Sequence, residues 1–287
     1  ANILGWPASR VGGAAGQLAR DNARRNPQRT ATTASALMIG LALVTLVATL
    51  AAGIVRSFEG AVNEIFVGDF AITAQNNFSA IPTDAAEAAA TAPGVTAVGN
   101  VRTGEALVLG DVEFVTAVDP QAGEVINLEW SEGSQNVFSE LGEDGAFVDD
   151  EYAEDNNLRL GSPVELTFPN GTKKRFLIEG IFDPGSGGSP FGAVTISAEE
   201  WDAQVPQPRN LYSFLKMEGA ATDENQAALD RALRDFPNAK AQTRDEFIDN
   251  QISGLSSILN ILYVLLALSI VVSLSGIVNT LVLTVFE

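Results

Sequence analysis

The sequence ATTASALMIGLALVTLVATLAAGIV, residues 31–55, contains 25 residues without a charged side chain. As an α-helix it is roughly 37 Å long, enough to cross a bilayer hydrocarbon core of about 30 Å. A second uncharged stretch, residues 252–286, is 35 residues long. It would reach roughly 52 Å as a helix, so part of it must tilt, kink or extend beyond the bilayer. The sequence therefore predicts transmembrane helix 1 at 31–55, and transmembrane helix 2 with an outer stalk at 252–286.

The distribution of charge predicts the orientation of the chain in the membrane. Residues 1–30 contain five Arg and one Asp, whereas residues 56–251 contain 12 Lys or Arg and 34 Asp or Glu. Short Arg-rich flanks stay in the cytoplasm, and long domains cross the membrane regardless of their charge. We expect a multi-pass protein of the cell membrane, with residues 1–30 as a cytoplasmic juxtamembrane amphipathic helix and residues 56–251 outside the cytoplasm.

Composition excludes several classes of chemistry. The chain has no Cys and no His, so it has neither a disulfide nor a thiol nucleophile, and it lacks the usual general base near neutral pH. The strongly acidic outer segment repels nucleic acid and anionic surfaces. There is no Walker motif. We expect a protein that is not an enzyme, binds no cofactor or metal of its own and has no nucleic-acid partner.

The segment between the spans has the pattern of a mixed α and β domain. Residues 69–75, 95–109, 112–118, 164–168, 172–182 and 211–217 are predicted strands. Pro169–Asn170–Gly171 predicts a hairpin turn. Helices are predicted at 83–90, 150–157 and 223–236, the last with four apolar positions: Ala227, Leu229, Leu233 and Phe236. One α+β domain is the simplest arrangement, with a β-rich lobe inserted near residues 100–210 as an option.

Three motifs in this domain could carry a site, and each has a plainer interpretation. Asp149–Asp155 is the densest acidic cluster, but it lacks the alternation of a calcium loop, and a solvated helix face is favoured. Close carboxylates alone are weak support for a glycosidase. Pro184–Pro190 is rich in glycine without a following Lys-Ser/Thr, which indicates a flexible loop or a partner-contact loop. In Lys173–Arg175, strand alternation directs Lys174 to the face opposite its two neighbours.

Both predicted spans contain small and polar residues that favour helix packing. Gly40 in the first span and Gly276 in the second allow close approach of neighbouring helices in lipid. Asn279 is costly against bare lipid and should face protein or water. We expect these three residues at helix-packing positions, and further membrane spans or a second copy as partners within membrane lipid. The absence of an initiator Met and the end at Glu287 suggest a piece of a longer polypeptide.

Several strings resemble FtsX-like/MacB-like ABC transporter permeases of the actinobacterial type. They are LARDNARRNPQRT at 18–30, TASALMIG at 33–40, the helix after Pro82 with PGV at 93–95, GAFV at 145–148, LGSPV at 160–164 and SGIVNTL at 275–281. The resemblance covers essentially the whole chain. It implies a membrane protein in which two transmembrane helices flank a mixed α/β extracytoplasmic domain of the MacB-like periplasmic core type.

The resemblance also implies a function. A cytoplasmic ABC ATPase partner would bind ATP, and the permease helices would transmit its movement to the outer domain (mechanotransmission). The result would be export or extraction of a lipid, lipoprotein or peptide, or activation of a cell-wall partner outside the membrane, which brings in an extracytoplasmic protein as a further partner. Arg24, Arg25 and Arg29 would lie at the cytoplasmic face and take part in coupling.

Two other classes of protein fit the same layout. A two-span membrane receptor would use the acidic domain as an extracytoplasmic ligand sensor and would continue into a signalling domain after Glu287. An extracytoplasmic hydrolase anchored twice would need a convergent carboxylate pair in a cleft. A short basic segment and further spans after Glu287 would instead support the permease.

Overall fold

The structure is a computed structural model and describes residues 13, 27–185, 188–253, 260–261, 263–265, 267–268 and 271. The chain divides into two compact units, one formed by Ala1–Gly53 with Leu255–Glu287 and the other by Ile54–Gly254. Most of residues 1–26 and of the predicted second span at 252–286 lie outside the described residues. The predictions for these two segments therefore stay predictions.

The first described element is helix α1, Pro27–Ile65, which is 39 residues long and contains the predicted span 31–55. It begins at Pro27, and proline is tolerated in the first turn of a helix because its missing N–H has no partner to lose there. Within the described part of the chain, one helical stretch, Met38–Ile65, is long and apolar enough to cross a membrane, and the mean hydropathy of its most apolar 18-residue window is 2.4. Its large apolar side chains are 47–67% exposed at Met38, Ile39, Leu41, Leu43, Leu46 and Leu50.

The unit Ile54–Gly254 alternates short helices with strands. The strands are β1 Phe70–Ala74, β2 Ile81–Pro82, β3 Val95–Val108, β4 Asp111–Val118, β5 Glu129–Glu132, β6 Gly145–Asp149, β7 Pro163–Thr167, β8 Lys173–Asp183, β9 Val194–Ser197, β10 Arg209–Met217 and β11 Ala239–Thr243. The helices are α2 Thr83–Ala90, α3 Val137–Glu140, α4 Asp150–Asp155, α5 Ala198–Gln204, α6 Asp223–Ala232 and α7 at 244–253, with a 3₁₀ turn at Pro120–Glu124.

The eleven strands of the described residues form one mixed sheet. Its order is β11-β1-β10-β3-β4-β9-β6-β8-β5, with β2 paired to β10 and β7 paired to β3 and β8. The β4–β9 and β6–β8 pairs are parallel and the other pairs are antiparallel. The hairpin predicted at Pro169–Gly171 is confirmed, because Leu166 pairs with Lys174. The predicted strands β3 and β4 form another antiparallel hairpin, in which Val108 pairs with Asp111. The prediction of a mixed α and β domain is correct.

Three hydrophobic cores support this sheet. One lies under α2 and α6 and includes Phe70, Ile72 and Leu229. A second is formed by strands between residues 106 and 196 together with Trp201 of α5. The third is rich in aromatic residues and includes Phe66, directly after α1, together with side chains of α7. The last of these cores brings the end of α1 and the start of the segment leading to the second predicted span into one cluster.

Sequence periodicity misplaced some of these details. In α6 the buried alanine is Ala228, whereas Ala227 is exposed. The reason is that Ala227 lies about 200° around the helix from Leu229, while Ala228 is only about 100° away. Strands β9 and β11 and helix α5 were not predicted, because runs of four to seven residues carry too little periodicity to distinguish them.

Gly104 on β3 lies directly beneath Trp201, and a Cβ atom there would come within 2.4 Å of the indole Cζ2. We expect Gly104→Ala to lower the free energy of unfolding by about 1–3 kcal/mol, the usual cost of overpacking a core. Urea denaturation measures this difference. Gly60→Ala is the matched control, because Gly60 in α1 has no neighbour within 4 Å of its Cβ position. This control should stabilise the protein by about 0.5–1 kcal/mol, and equal effects of both changes would contradict the packing argument.

Candidate functional site

The most distinctive site in the unit Ile54–Gly254 is a group of four aromatic rings, here called the aromatic cluster: Phe66, Tyr212, Phe214 and Phe247. The Phe66 ring lies 4.3 Å from that of Phe214 and 5.7 Å from that of Phe247, between centroids. Tyr212 lies 5.9 Å from Phe214 and 5.2 Å from Phe247. Such offset and edge-on pairs contribute about 0.5–1.5 kcal/mol each beyond the area that they bury. Two rings come from β10, one follows α1 and one belongs to α7.

Hydrogen bonds join α1 and α7 beside this cluster. The Arg244 guanidinium at the start of α7 donates to the carbonyl of Asn63 in the last turns of α1. The Arg244 backbone N–H donates to the Asp69 carbonyl at 3.0 Å. The Asp69 carboxylate in turn accepts from the backbone N–H of Met217 on β10 at 2.8 Å. The ends of both helices are therefore attached to each other and to the sheet.

A second polar network attaches α7 to the sheet by side chains. Asn250 Nδ2 of α7 donates to Gln242 Oε1, and Gln242 Nε2 donates to the hydroxyl of Thr73. The same amide lies 3.1 Å from Asn77 Oδ1. Gln242 and Thr73 are 3% and 0% exposed. Because buried amides and hydroxyls are costly without partners, this network constrains the position of α7 on β11 and β1.

The aromatic cluster borders a cavity of about 180 Å³. Its lining consists of Val62, Ile65, Phe66, Val101, Ile126, Gly188, Ser189, Pro190, Phe191, Tyr212, Phe214, Phe247 and Gln251. None of these residues is charged, in a segment where acidic residues dominate. Burial raises the pKa of the Tyr212 phenol, and the adjacent Gln251 side chain opposes that rise. The cavity is thus a mainly apolar site with Ser189, Tyr212 and Gln251 as polar residues at its wall, and the buried Gln251 Nε2 has no hydrogen-bond partner among the described residues.

A buried ion network lies further along β3. The Arg102 side chain is 8% exposed, with Nη1 2.9 Å from Asp119 Oδ1 and Nε 2.9 Å from Asp202 Oδ1. Asp119 also accepts from the backbone N–H of Asn100 at 3.3 Å. The Asn100 side chain in turn accepts from Asn210 of β10 at 2.9 Å. This network connects β3 and β10 to helix α5, and its geometry indicates a structural role.

The acidic cluster Asp149–Asp155 forms the N-cap and the body of helix α4. Asp149 caps α4 by accepting from the Tyr152 backbone N–H at 2.7 Å, and Glu151, Glu154 and Asp155 are exposed to solvent. Among the described residues, no group of three or more acidic side chains could hold a metal ion. Burial, with Glu113 and Asp111 as further causes, raises the pKa of the Tyr152 phenol to about 12. The favoured interpretation, a capped and solvated helix, agrees with this arrangement.

The structure also shows the positions of the basic segment Lys173–Arg175 and of the described part of the glycine-rich segment Pro184–Pro190. Lys174 pairs with Glu200 at 2.7 Å on one face of β8, and Lys173 pairs with Glu165 at 3.2 Å on the other face. The predicted alternation of these two lysines is therefore correct. The described end of the glycine-rich segment, 188–190, lines the apolar cavity. It lies beside a candidate binding site, a position that the sequence did not predict.

The residues predicted for coupling and helix packing are not brought together in the described part of the structure. Arg29 lies in the first turn of α1, and Gly40 is half-buried further along the same helix. Arg24 and Arg25, like Gly276 and Asn279, lie outside the described residues. The roles assigned to these six residues stay predictions. The sequence analysis did not predict the aromatic cluster. The available signal was four aromatic residues in or near the predicted strands and helices.

Glu179 on β8 offers a test of local electrostatics. Burial, followed by the charges of Asp144 and Glu140, raises the pKa of this carboxyl above its ordinary value of 4.5. The folded state then binds more protons than the unfolded state above pH 4.5, so this group makes the free energy of unfolding fall as the pH rises. We expect Glu179→Gln to reduce that fall and to make the protein more stable at pH 7. Urea denaturation at pH 4 and pH 7 measures the free energy of unfolding of both proteins. The exposed Glu87→Gln controls for loss of one charge, and an equal effect of both would contradict the argument.

The fold and these contacts define a mixed α/β domain that directly follows a long apolar helix. The family of the MacB-like periplasmic core domain matches residues 30–235, and the chain belongs to this family. The resemblance to FtsX-like/MacB-like ABC transporter permeases is thereby confirmed. No curated protein matches the sequence at significant similarity.

Solved structures of related domains are similar to the chain. The periplasmic region of MacB from Actinobacillus actinomycetemcomitans is 10% identical with a TM-score of 0.48, and the match covers 67% of this chain and 95% of that one. The extracellular domain of the noncanonic ABC-type transporter YknZ from Gram-positive bacteria is also 10% identical, with a TM-score of 0.44 and coverage of 61% and 98%.

Proposed function

We propose that this chain is a permease subunit of an ABC transporter, inserted in the cell membrane with the unit Ile54–Gly254 on the outer side. A separate cytoplasmic ATPase binds and hydrolyses ATP, and this chain converts the resulting helix movement into movement of its outer domain. Membership of the MacB-like periplasmic core domain family supports the transporter class.

The observation that carries the coupling role is the continuity of α1. One uninterrupted helix contains the candidate span Met38–Ile65 and ends one residue before Phe66, which is 2% exposed in the aromatic cluster. Phe247 of α7 packs on the same ring at 5.7 Å. A closely packed core transmits displacement instead of absorbing it. Movement of α1 along or about its axis therefore reaches β10 and α7 together.

In this proposal the coupling involves no covalent chemistry in the chain. ATP binding by the ATPase changes the tilt of α1, and the aromatic cluster transfers the change to the sheet. The outer domain then moves a lipid, lipoprotein or peptide, or activates a cell-wall partner. Arg24, Arg25 and Arg29 face the ATPase, while Gly40, Gly276 and Asn279 contact neighbouring spans or a second permease copy.

The absence of cysteine makes the topology directly testable. Phe78 and Val112 are 70% and 68% exposed, and Gln28 lies at the start of α1. In intact cells a membrane-impermeant maleimide should label Phe78→Cys and Val112→Cys but should label Gln28→Cys only after permeabilisation. Labelling of Gln28→Cys in intact cells would contradict the proposed orientation.

Coupling is tested with the membrane-inserted protein and the cytoplasmic ATPase that copurifies with it. Spin labels at Leu46→Cys in α1 and Val112→Cys in the outer domain report the distance between helix and domain. We expect a non-hydrolysable ATP analogue to shift this distance distribution, because ATP binding is the step that moves the helices. An unchanged distribution, with ATP binding verified, would overturn the coupling role.

A further inference from the structure

The wall of the cavity beside the aromatic cluster contains a buried hydrogen-bond donor that lacks a protein acceptor. Nε2 of Gln251, near the described end of α7, is buried, and no atom of the described residues accepts a hydrogen bond from it. A buried amide without a partner is costly, and in native proteins such groups are nearly always bonded to protein or to ordered water. Gln251 Nε2 therefore needs an acceptor that the cavity can hold.

Two further polar groups lie at the same wall, on Tyr212 and Ser189. The Gln251 side chain is close enough to the Tyr212 phenol to oppose the rise in its pKa that burial causes. A phenol can both donate and accept a hydrogen bond. The Ser189 hydroxyl donates to the Phe191 carbonyl and accepts from the Phe191 N–H, both at 3.3 Å, and it retains one lone pair. The wall thus offers three polar partners to a small uncharged molecule.

The size and the lining of the cavity select water as that molecule. Its volume is about 180 Å³, whereas one buried water needs only about 10–15 Å³ and two to four polar partners. An ion would lose its hydration without a counter-charge, because none of the lining residues is charged. The remaining wall is apolar, as at Val62, Ile65 and Phe214, and apolar cavities of similar size stay dry. Water therefore belongs at the polar part of the wall.

We propose that an ordered water molecule is bound in this cavity, where it accepts a hydrogen bond from Gln251 Nε2 and bonds the hydroxyl of Tyr212, with Ser189 Oγ as a third partner. The water connects α7 to β10 beside the aromatic cluster. Because a bridging water can reorient or exchange, α7 can shift against β10 without leaving a buried amide unsatisfied. The inference is independent of membrane insertion and of ATP coupling.

The test is X-ray footprinting of the full chain in detergent. A short X-ray pulse converts water into hydroxyl radicals, which oxidise the nearest side chains, and mass spectrometry locates the products. Phe66, Phe214 and Phe247 line the cavity and are 2%, 7% and 4% exposed, whereas Phe70 and Phe176 are 0% exposed and lie in the other two hydrophobic cores. We expect at least about fivefold more oxidation at the three cavity rings, because a bound water lies beside them.

Gln251→Leu removes the donor and should lower the oxidation of the cavity rings about fivefold, to the level of the other two rings. Gln121→Leu is the matched control, because Gln121 is exposed and does not line the cavity, and it should change nothing. Tyr212→Phe serves as a second variant if Gln251→Leu does not fold. Cavity rings oxidised no more than Phe70 would refute the bound water. Oxidation that persists in both variants would indicate entry of bulk solvent and would also overturn the site.

Discussion

Phe66→Ala is expected to lower the free energy of unfolding by about 3–5 kcal/mol, the range for a fully buried phenylalanine. The Phe66 side chain is 2% exposed and packs on Phe214 and Phe247. Its removal leaves a void that adds to the existing cavity, and the three elements that meet there cannot all close it. Urea denaturation followed by circular dichroism measures the change.

Phe114→Ala is the control for this prediction, because Phe114 is 58% exposed on β4. We expect an effect within about 0.5 kcal/mol. In the complex with the ATPase, Phe66→Ala should also diminish the ATP-dependent change in distance between spin labels at Leu46 and Val112. If Phe66→Ala lowered the free energy of unfolding by less than about 1 kcal/mol, Phe66 would not be needed to hold α1, α7 and β10 together.

Arg102→Ala is the second prediction, with an expected loss of about 3–5 kcal/mol at pH 7. The change removes the cation that lies 2.9 Å from each of Asp119 and Asp202. Two carboxylates then remain partly buried without their counter-ion, which is the costly consequence of breaking a buried pair. Lys173→Ala is the control, because Lys173 and Glu165 form an exposed pair, 66% and 53% exposed. Such a pair contributes about 0–1 kcal/mol.

The pH dependence of this loss distinguishes charge from packing. Burial raises the pKa of Asp202 above its ordinary value of 3.8, and Arg102 opposes the rise. A carboxyl with a raised pKa in the folded state destabilises the protein progressively as the pH rises above 3.8. Without Arg102 this penalty grows, so the deficit of Arg102→Ala should be smaller at pH 4 than at pH 7. A deficit that does not change with pH would mean that lost packing of the arginine stem causes it.

The sequence by itself determined the class of this protein and its local structure. The uncharged stretch 31–55 falls within one continuous helix, and the alternation in 172–182 and the Pro169–Gly171 turn produced the expected hairpin. These features depend on hydropathy and on the conformations of neighbouring residues, which a linear sequence displays directly. The family strings added the transporter class, which composition alone could not distinguish from a receptor.

Only the tertiary structure decided which distant residues meet. Phe66 and Phe247 are separated by 181 positions, yet their rings lie 5.7 Å apart. The Arg102 network likewise depends on α5 packing against β3 and β4, and the parallel β4–β9 pair was not predictable from its four residues per strand. These contacts have no local signal in the sequence, because they depend on the order of the strands in the sheet. The joint between α1, α7 and β10, and the cavity beside it, exist for the same reason.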